Sequence, residues 1–375
     1  MKKILAIFIV AVIGLTGTVF AEGVPVNIEA VENLGMGGPG SCVWNRYGVM
    51  YNPALLATQS GFHMRLFEMP FSVSNDVFKF YSFYKDNQED LENFDTLNAA
   101  RQAVLLREIT NSVTSYKIRL KFSALNPSIS AGPFPFFGQD GKLWWGVGFY
   151  NQFDIGVKMN AGLLIPTVDI WVQGDGVLVV PLAYKLPSVP FNLPGEAYAG
   201  INVKYLTRAK YDEYRLSILQ FENFSPSSDD IEQGSGFGWD WGLLYGYSDK
   251  LKFSLVLKDF LSTRIAYSDS SEVIKGQLNL GSSYKLNNMI QLACDVRDIK
   301  FDDIGKATLF AKLYIGGEIN LISILRLRGG FYQGYPSFGF GLLGFLNYAF
   351  YGRELSDYPG LMPEWNHVIS LSIGF

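Results

Sequence analysis

Hydrophobic and polar residues alternate one by one along most of this chain. In 250–260, Leu251, Phe253, Leu255 and Leu257 share one face, and Lys252, Ser254 and Lys258 share the other. From Ile274 to Leu286, one face carries Ile274, Leu278, Leu280, Tyr284 and Leu286, and the other carries Lys275, Gln277, Asn279, Ser283 and Lys285. Ile290, Leu292, Cys294 and Val296 oppose Gln291, Asp295 and Arg297. Leu309, Ala311, Leu313 and Ile315 alternate with Lys312 and Tyr314, and Leu325, Leu327 and Phe331 alternate with Arg326 and Arg328. The same rhythm runs through 116–122 and 201–205. A period of two places each set on its own face of a β-strand.

These segments follow one another as hairpins. Their joints are turn-rich: Gln139-Asp140-Gly141, Ser248-Asp249-Lys250 and Asn287-Asn288. A soluble sandwich would show one buried face per sheet. Here the polar faces carry isolated Lys and Arg beside Gly and Ser, as the wall of an aqueous lumen would. Strands exposed to lipid must close, because an unpaired edge in hydrocarbon is too costly. The expected fold is therefore all-β, a transmembrane antiparallel β-barrel of about 14 strands, with 12–16 compatible. Segments such as Phe338 to Phe350 run longer than the ~9–11 residues that spanning requires, so some strands should project beyond the bilayer.

The ends strengthen this. Lys2 and Lys3 precede an apolar stretch from Ile4 to Ile13, and Val19-Phe20-Ala21 precedes Glu22, which reads as a secretory signal (1–21) cleaved after Ala21. At the other end Ile369, Leu371, Ile373 and Phe375 share a face opposite Val368, Ser370, Ser372 and Gly374. A last amphipathic strand ending in Phe375 resembles the signal read by the bacterial outer-membrane assembly machinery. That resemblance implies export to the outer membrane and contact with membrane lipid.

Composition fits. The chain is 15% aromatic, with 29 Phe, 21 Tyr and 39 Gly, yet 18% charged. Aromatics supply interfacial girdles and charges face the lumen. Net charge is −4 with both signs interleaved, so nothing points to nucleic acid. Beyond the signal no run of eighteen apolar residues occurs, which excludes a helical membrane protein. Cys42 and Cys294 do not make a disulfide framework, and we expect no bridge.

Two regions break the strand rhythm. Residues 85–113 are charged, lack Pro and Gly, and carry Leu91, Phe94, Leu97, Ala100, Val104, Leu105 and Ile109, which reads as one or two amphipathic helices. Residues 222–236 are rich in Ser, Asp and Gly and read as an outward loop. Pro127, Pro133 and Pro135 mark a candidate interrupted strand, since proline removes ladder hydrogen bonds.

Between the signal and the first strand lies a segment, 22–59, that does not alternate. Gly35, Gly37, Gly38 and Gly40 cluster there, followed by Asn52-Pro53-Ala54. A dinucleotide loop would need a strand before it and a helix after it. A leader precedes this cluster and Pro39 interrupts it, so a tight glycine-dependent backbone path is the better meaning. At this point the sequence resembles the FadL family of outer-membrane transport proteins, including its TraF-like and PorV-like branches. In that family a glycine-rich segment and an Asn-Pro-Ala motif form a hatch that plugs the barrel. Gly35 to Gly40 and Asn52-Pro53-Ala54 look like those elements. Glu354-Leu355 and Pro359-Gly360 before the last strand, with His367 at its start, look like the family's tail. The resemblance is confined to the two ends, and the 85–113 insert departs from the transporter pattern. Whether the segment is a fixed plug or a gate stays open. A barrel of fourteen strands is too wide for side chains alone to fill.

Catalytic chemistry is sparse. His63 and His367 are the only histidines, too few for a histidine-built metal cluster. Ser370 and Ser372 lie an odd number of residues from His367 and so face away from it. We expect no enzyme and no cofactor. Arg326 and Arg328, on the expected lumen face, suit an anionic head group or an ion pair across the lumen with a carboxylate such as Asp295. Two functions remain: a channel for passive uptake of small hydrophobic molecules (fatty acids or aromatics), or a non-transporting barrel that docks a secretion or envelope complex.

Overall fold

The computed structural model describes residues 28–109, 111, 117–135, 142–160, 167–189, 193–217, 230–268, 270–299, 307–322, 324–356 and 359–374. The signal segment, the Gln139-Asp140-Gly141 turn, residues 222–229 of the expected 222–236 loop and Phe375 lie outside these residues, and 232–236 of that loop are strand instead.

Seventeen strand segments form one antiparallel sheet that closes on itself. They are β1 (Gly61–Ser74), β2 (Lys117–Phe122), β3 (Ser128–Pro135), β4 (Lys142–Asn160), β5 (Thr167–Lys185) and β6 (Glu196–Ser217). Next come β7 (Glu232–Gly246), β8 (Leu251–Lys258), β9 (Thr263–Ala266), β10 (Ser271–Ile274), β11 (Gln277–Lys285) and β12 (Ile290–Val296). The last are β13 (Leu313–Ile322), β14 (Leu325–Tyr332), β15 (Tyr335–Leu342), β16 (Leu346–Glu354) and β17 (Pro363–Gly374). Three staves are each broken in two: β2/β3, β8/β9 and β10/β11 share their neighbours, so the wall has fourteen staves. β1 pairs with β17 from Arg65↔Gly374 to Ser74↔Asn366 and closes the ring.

The distribution of side chains is inverted relative to a water-soluble protein. Leu292, Leu371 and Ile373 are about half exposed on the outside, while Asn202, Arg208, Asp240 and Asp295 are almost wholly buried inside. Charged residues are buried only when partnered, and exposed apolar faces this extensive suit hydrocarbon rather than water. Inside, Lys204 bonds Asp240 (2.6 Å) and Asp259 (2.7 Å), and Arg208 bonds Asp175 (2.6 Å) and Glu272 (2.7 Å). Among the described residues no helix is long and apolar enough to cross a membrane.

The two ends differ. The joints at Ser248–Lys250, Asn287-Asn288 and Leu343-Gly344 are tight and lie at the end where β17 finishes. The longer connections lie at the other, including the helical insert. That insert starts earlier than the sequence pattern suggested: α3 (Asn75–Asp86) follows β1 directly, then α4 (Gln88–Glu92) and α5 (Ala99–Glu108). Phe78, Phe80, Phe83 and Tyr84 are of a residue type that favours strands, but Phe80 and Phe83 pack on Leu105 and Ile109 with Leu91, Phe94 and Leu97. Tertiary packing overrides the local preference. Ala100 and Val104, expected in the apolar stripe, are exposed.

Other expectations need correction. Phe338 to Phe350 is not one long strand but the β15–β16 hairpin, turned by Leu343 and Gly344 with positive φ (54° and 73°). The long staves are β4, β5 and β6, with 19, 19 and 22 residues. Leu309 and Ala311 sit in a 3-10 turn (Ala307–Lys312), and the strand begins at Leu313. Ile274 points inward, opposite to Leu280, because the break between β10 and β11 changes the face.

Candidate functional site

Residues 28–58 fill the lumen. Two short helices, α1 (Val31–Gly35) and α2 (Gly48–Tyr51), and a 3-10 turn (Pro53–Thr58) present almost wholly buried side chains. Ile28, Tyr47, Val49, Met50 and Tyr51 pack on the lumen faces of Trp144, Tyr150, Val177, Val179 and Leu206.

After α1 the chain turns through Gly37 (φ 85°) and Gly38 (φ 94°), whose amide donates to Asn33 O (2.6 Å). Side chains rarely adopt that region. A Cβ on Gly37 would also overlap the backbone of Ile315 and Phe331. The wall answers with its own glycines: a Cβ on Gly316 would overlap Met36 O, and one on Gly330 would meet the same carbonyl. Gly316 and Gly330 are ladder partners. Gly35 lies against Gly339 in the same way. The sequence located the plug glycines but missed their receiving partners, which sit in strands some 280 residues away and look ordinary there.

The second dock is the Asn-Pro-Ala turn. Asn52 Oδ1 accepts from Ala54 N (2.9 Å), and Asn52 Nδ2 donates to Ser41 O (3.0 Å) and to Leu243 O of β7 (3.3 Å). Pro53 begins the 3-10 turn, where its missing N–H costs nothing. Gly242 and Gly200 make room: a Cβ on the first would overlap Asn52 Oδ1, and on the second the Pro53–Ala54 peptide.

Between the two docks stands Asp295. Its carboxylate accepts from Gly40 N (2.8 Å), Ser41 N (3.1 Å) and Ser41 Oγ (2.6 Å), and is 1% exposed. The sequence reading paired Asp295 with Arg326 or Arg328, and the structure corrects this. Arg328 bonds Glu318 Oε2 on the adjacent strand (2.6 Å) and Asn347 Oδ1 (3.0 Å), whereas Asp295 holds the plug, with Arg297 as its cation neighbour among the described residues (3.8 Å). The plug fills the space across which such a pair would form. Arg297 also bonds Glu29 (2.7 Å) and the carbonyl of Gly38. Cys42 is buried beside Ser254, and burial pushes its thiol up to about 12. Cys42 and Cys294 are both free.

On the opposite side the wall is broken. β2 ends at Phe122↔Phe71 and β3 starts at Ser128↔Arg65; between them the Ser123 amide donates to Pro70 O (3.0 Å), but no ladder pair joins 66–70 to 123–127. Of the three prolines, Pro127 ends this break, whereas Pro133, which follows a cis bond from Gly132, and Pro135 lie beyond it in β3. Leu125 has φ 56° and is 61% exposed. Against β4 the broken stave holds one extra residue between Phe122↔Phe153 and Ser128↔Gly148, a bulge. Asn151 satisfies the displaced backbone, accepting from Ala124 N (2.7 Å) and donating to Ala124 O. Asn126 Nδ2 donates to Tyr47 Oη in the plug (2.8 Å), and Arg65 Nε donates to Asn126 O (2.6 Å). The Arg65 guanidinium lies 4.7 Å from the Tyr47 ring and 5.1 Å from the Tyr150 ring. Break and plug are thus in contact, through side chains.

The fold of the barrel has counterparts among solved structures. The TodX monoaromatic hydrocarbon channel carrying the deltaS2S3 mutation superposes with a TM-score of 0.51 at 12% identity, over 93% of this chain and 99% of that one. The barrel resembles TodX. Two structures of the Pseudomonas putida toluene transporter TodX give TM-scores of 0.47 and 0.48 at 12% and 13% identity, over 95% and 92% of this chain and 99% of each of those chains. No family model and no curated protein matches. TodX belongs to the FadL family, so the likeness in fold agrees with the resemblance carried by the two ends of this chain. His367 lies on the outer aromatic face, 4.8 Å from the Phe350 ring and bonded to Tyr348 Oη (2.8 Å), while Ser370 and Ser372 are buried on the lumen side. Among the described residues no cluster of His, Cys, Asp and Glu could hold a metal.

Proposed function

We propose that this chain is a bacterial outer-membrane channel for the passive uptake of small hydrophobic molecules, aromatic hydrocarbons or fatty acids. The observation that carries it is the lapse in the β1–β2/β3 ladder beside Tyr47 and Asn126. A solute entering from the long-loop end meets a plugged lumen, with an interrupted wall next to the plug. Leaving sideways into the hydrocarbon avoids undocking the plug. The likeness of the barrel to a monoaromatic hydrocarbon channel supports the choice of solute. Gly35, Gly37, Gly38, Gly40, Asn52, Pro53 and Ala54 then fix the plug in place rather than release it. Signal removal after Ala21 and insertion by the assembly machinery through the strand ending in Phe375 belong to the same reading.

The test is uptake of labelled toluene and oleate by cells that depend on this barrel for entry. We expect uptake of at least one, reduced several-fold when Ala124→Trp fills the break. Uptake no different from barrel-free cells would overturn the reading. A second role, docking an envelope partner, is favoured by exposed Phe78 (52%) and Tyr81 (63%) on α3. It predicts a co-purifying protein that is lost on changing both to Ser.

A further inference from the structure

On the tight-turn side of the plug lies a cavity of about 320 Å3 that the proposed route does not use. Its walls are of two kinds. Met36, Val43, Trp44 and Ile324 are apolar, and Arg46, Arg326 and Arg328 bring three guanidinium groups against the carboxylates of Glu32 and Glu318. Arg328 is taken by Glu318 and Asn347. Arg46 donates to Gly344 O and approaches Glu32 only at 3.9 Å, leaving its Nη1 buried without a hydrogen-bond partner. Arg326 makes no ion pair or hydrogen bond among the described residues. It sits two residues from Arg328 on the same face of β14, about 7 Å along the strand.

We infer that this cavity binds a small carboxylic acid with an apolar body, its carboxylate held by Arg326 and Arg46 and its body against Trp44, Met36 and Ile324. A guanidinium presents a planar fork that matches a carboxylate with two parallel bonds. A cavity of this volume falls in the range of small-ligand sites, which combine apolar walls with a few convergent polar groups. Glu32 and Glu318 leave one positive charge unbalanced, which favours a single negative charge on the ligand. The inference goes beyond the channel reading, whose solute leaves through the wall without reaching this side of the plug.

The test is calorimetric titration of the detergent-purified full-length barrel with benzoate, benzyl alcohol and inorganic phosphate in turn. Arg326→Gln is the variant, chosen because Arg326 holds nothing else in place, with heat-modified gel mobility reporting an intact barrel. We expect saturable benzoate binding, at least ten-fold weaker binding of benzyl alcohol and phosphate, and a ten-fold loss of benzoate affinity in Arg326→Gln. Equal binding of phosphate would make this an adventitious anion site only. Equal binding of benzyl alcohol would make it an apolar crevice only, and no binding would leave it a water-filled cavity. Each of these, or an unchanged affinity in Arg326→Gln, overturns the inference. If toluene uptake persists while benzoate fails to bind, the inference falls and the channel reading stands.

Discussion

Along β6 and β13–β15 the plug meets the wall backbone to backbone, joined at β7 and β12 by the Asn52 and Asp295 side chains, whereas along β1–β4 it meets the wall through side chains. On the first side, glycines of plug and barrel face one another, and no side chain separates Met36 O from Gly316 and Gly330 or the Asn52 turn from Gly200 and Gly242. Asp295 adds three hydrogen bonds from one carboxylate. On the second side, Tyr47, Asn126 and Arg65 bridge to a stave whose own ladder lapses. Backbone contact at van der Waals distance has one arrangement, because nothing in it can change rotamer. Side-chain bridges can re-form elsewhere. The contrast places rigidity on the docked side and the capacity to rearrange at the break.

The largest effect should come from adding volume to a dock. Gly316→Val or Gly242→Val cannot seat the plug, so planar-bilayer recordings should show a large, steady conductance where the parent barrel shows little. Gly329→Ala is the control: its Cβ would meet nothing closer than Ser337 O at 3.9 Å, so conductance should not change. Next is Asp295→Asn, which weakens three charge-assisted bonds to the plug. Bonds of this type contribute about 1.5–3 kcal/mol each, and the denaturation midpoint should fall clearly while the barrel remains closed to ions. Smaller still is Tyr47→Phe, which removes one bond of about 1 kcal/mol on the break side. Stability should barely move, but hydrocarbon uptake should change, sharpening the assignment of function to that side.

Cys42 reports on the docked side without altering it. Burial raises its thiol to about 12 from a usual value near 9, so the unreactive protonated form persists well above pH 8. Thiol reagents at pH 8 should label it far more slowly than in unfolded protein, and quickly in Gly242→Val.

The barrel itself was readable because a strand's faces repeat every two residues, and one face here had to be apolar. The plug glycines and Asn52-Pro53-Ala54 were readable as a path needing close approach. Their receivers were not: Gly200, Gly242, Gly316 and Gly330 sit in strands where glycine signals only a gap, and pairing over such separations is not a local property. Asp295 was found but given the wrong partner for the same reason. The break was half visible. Pro127 marked it, but the positive φ at Leu125 and the Asn126 bridge to Tyr47 depend on neighbours that the local sequence does not name. The start of α3 was hidden by aromatics whose partners lie in α5.

The most direct test fastens the plug to its docked side. Ser41 Oγ and Ser254 Oγ lie 2.8 Å apart, so Ser41→Cys with Ser254→Cys, in a Cys42→Ser background, should form a disulfide across the seam. The account predicts that oxidised and reduced forms take up toluene at the same rate, since solute passes by the break and the plug stays docked. Uptake abolished by oxidation and restored by reductant would contradict it and make the plug a hatch that swings.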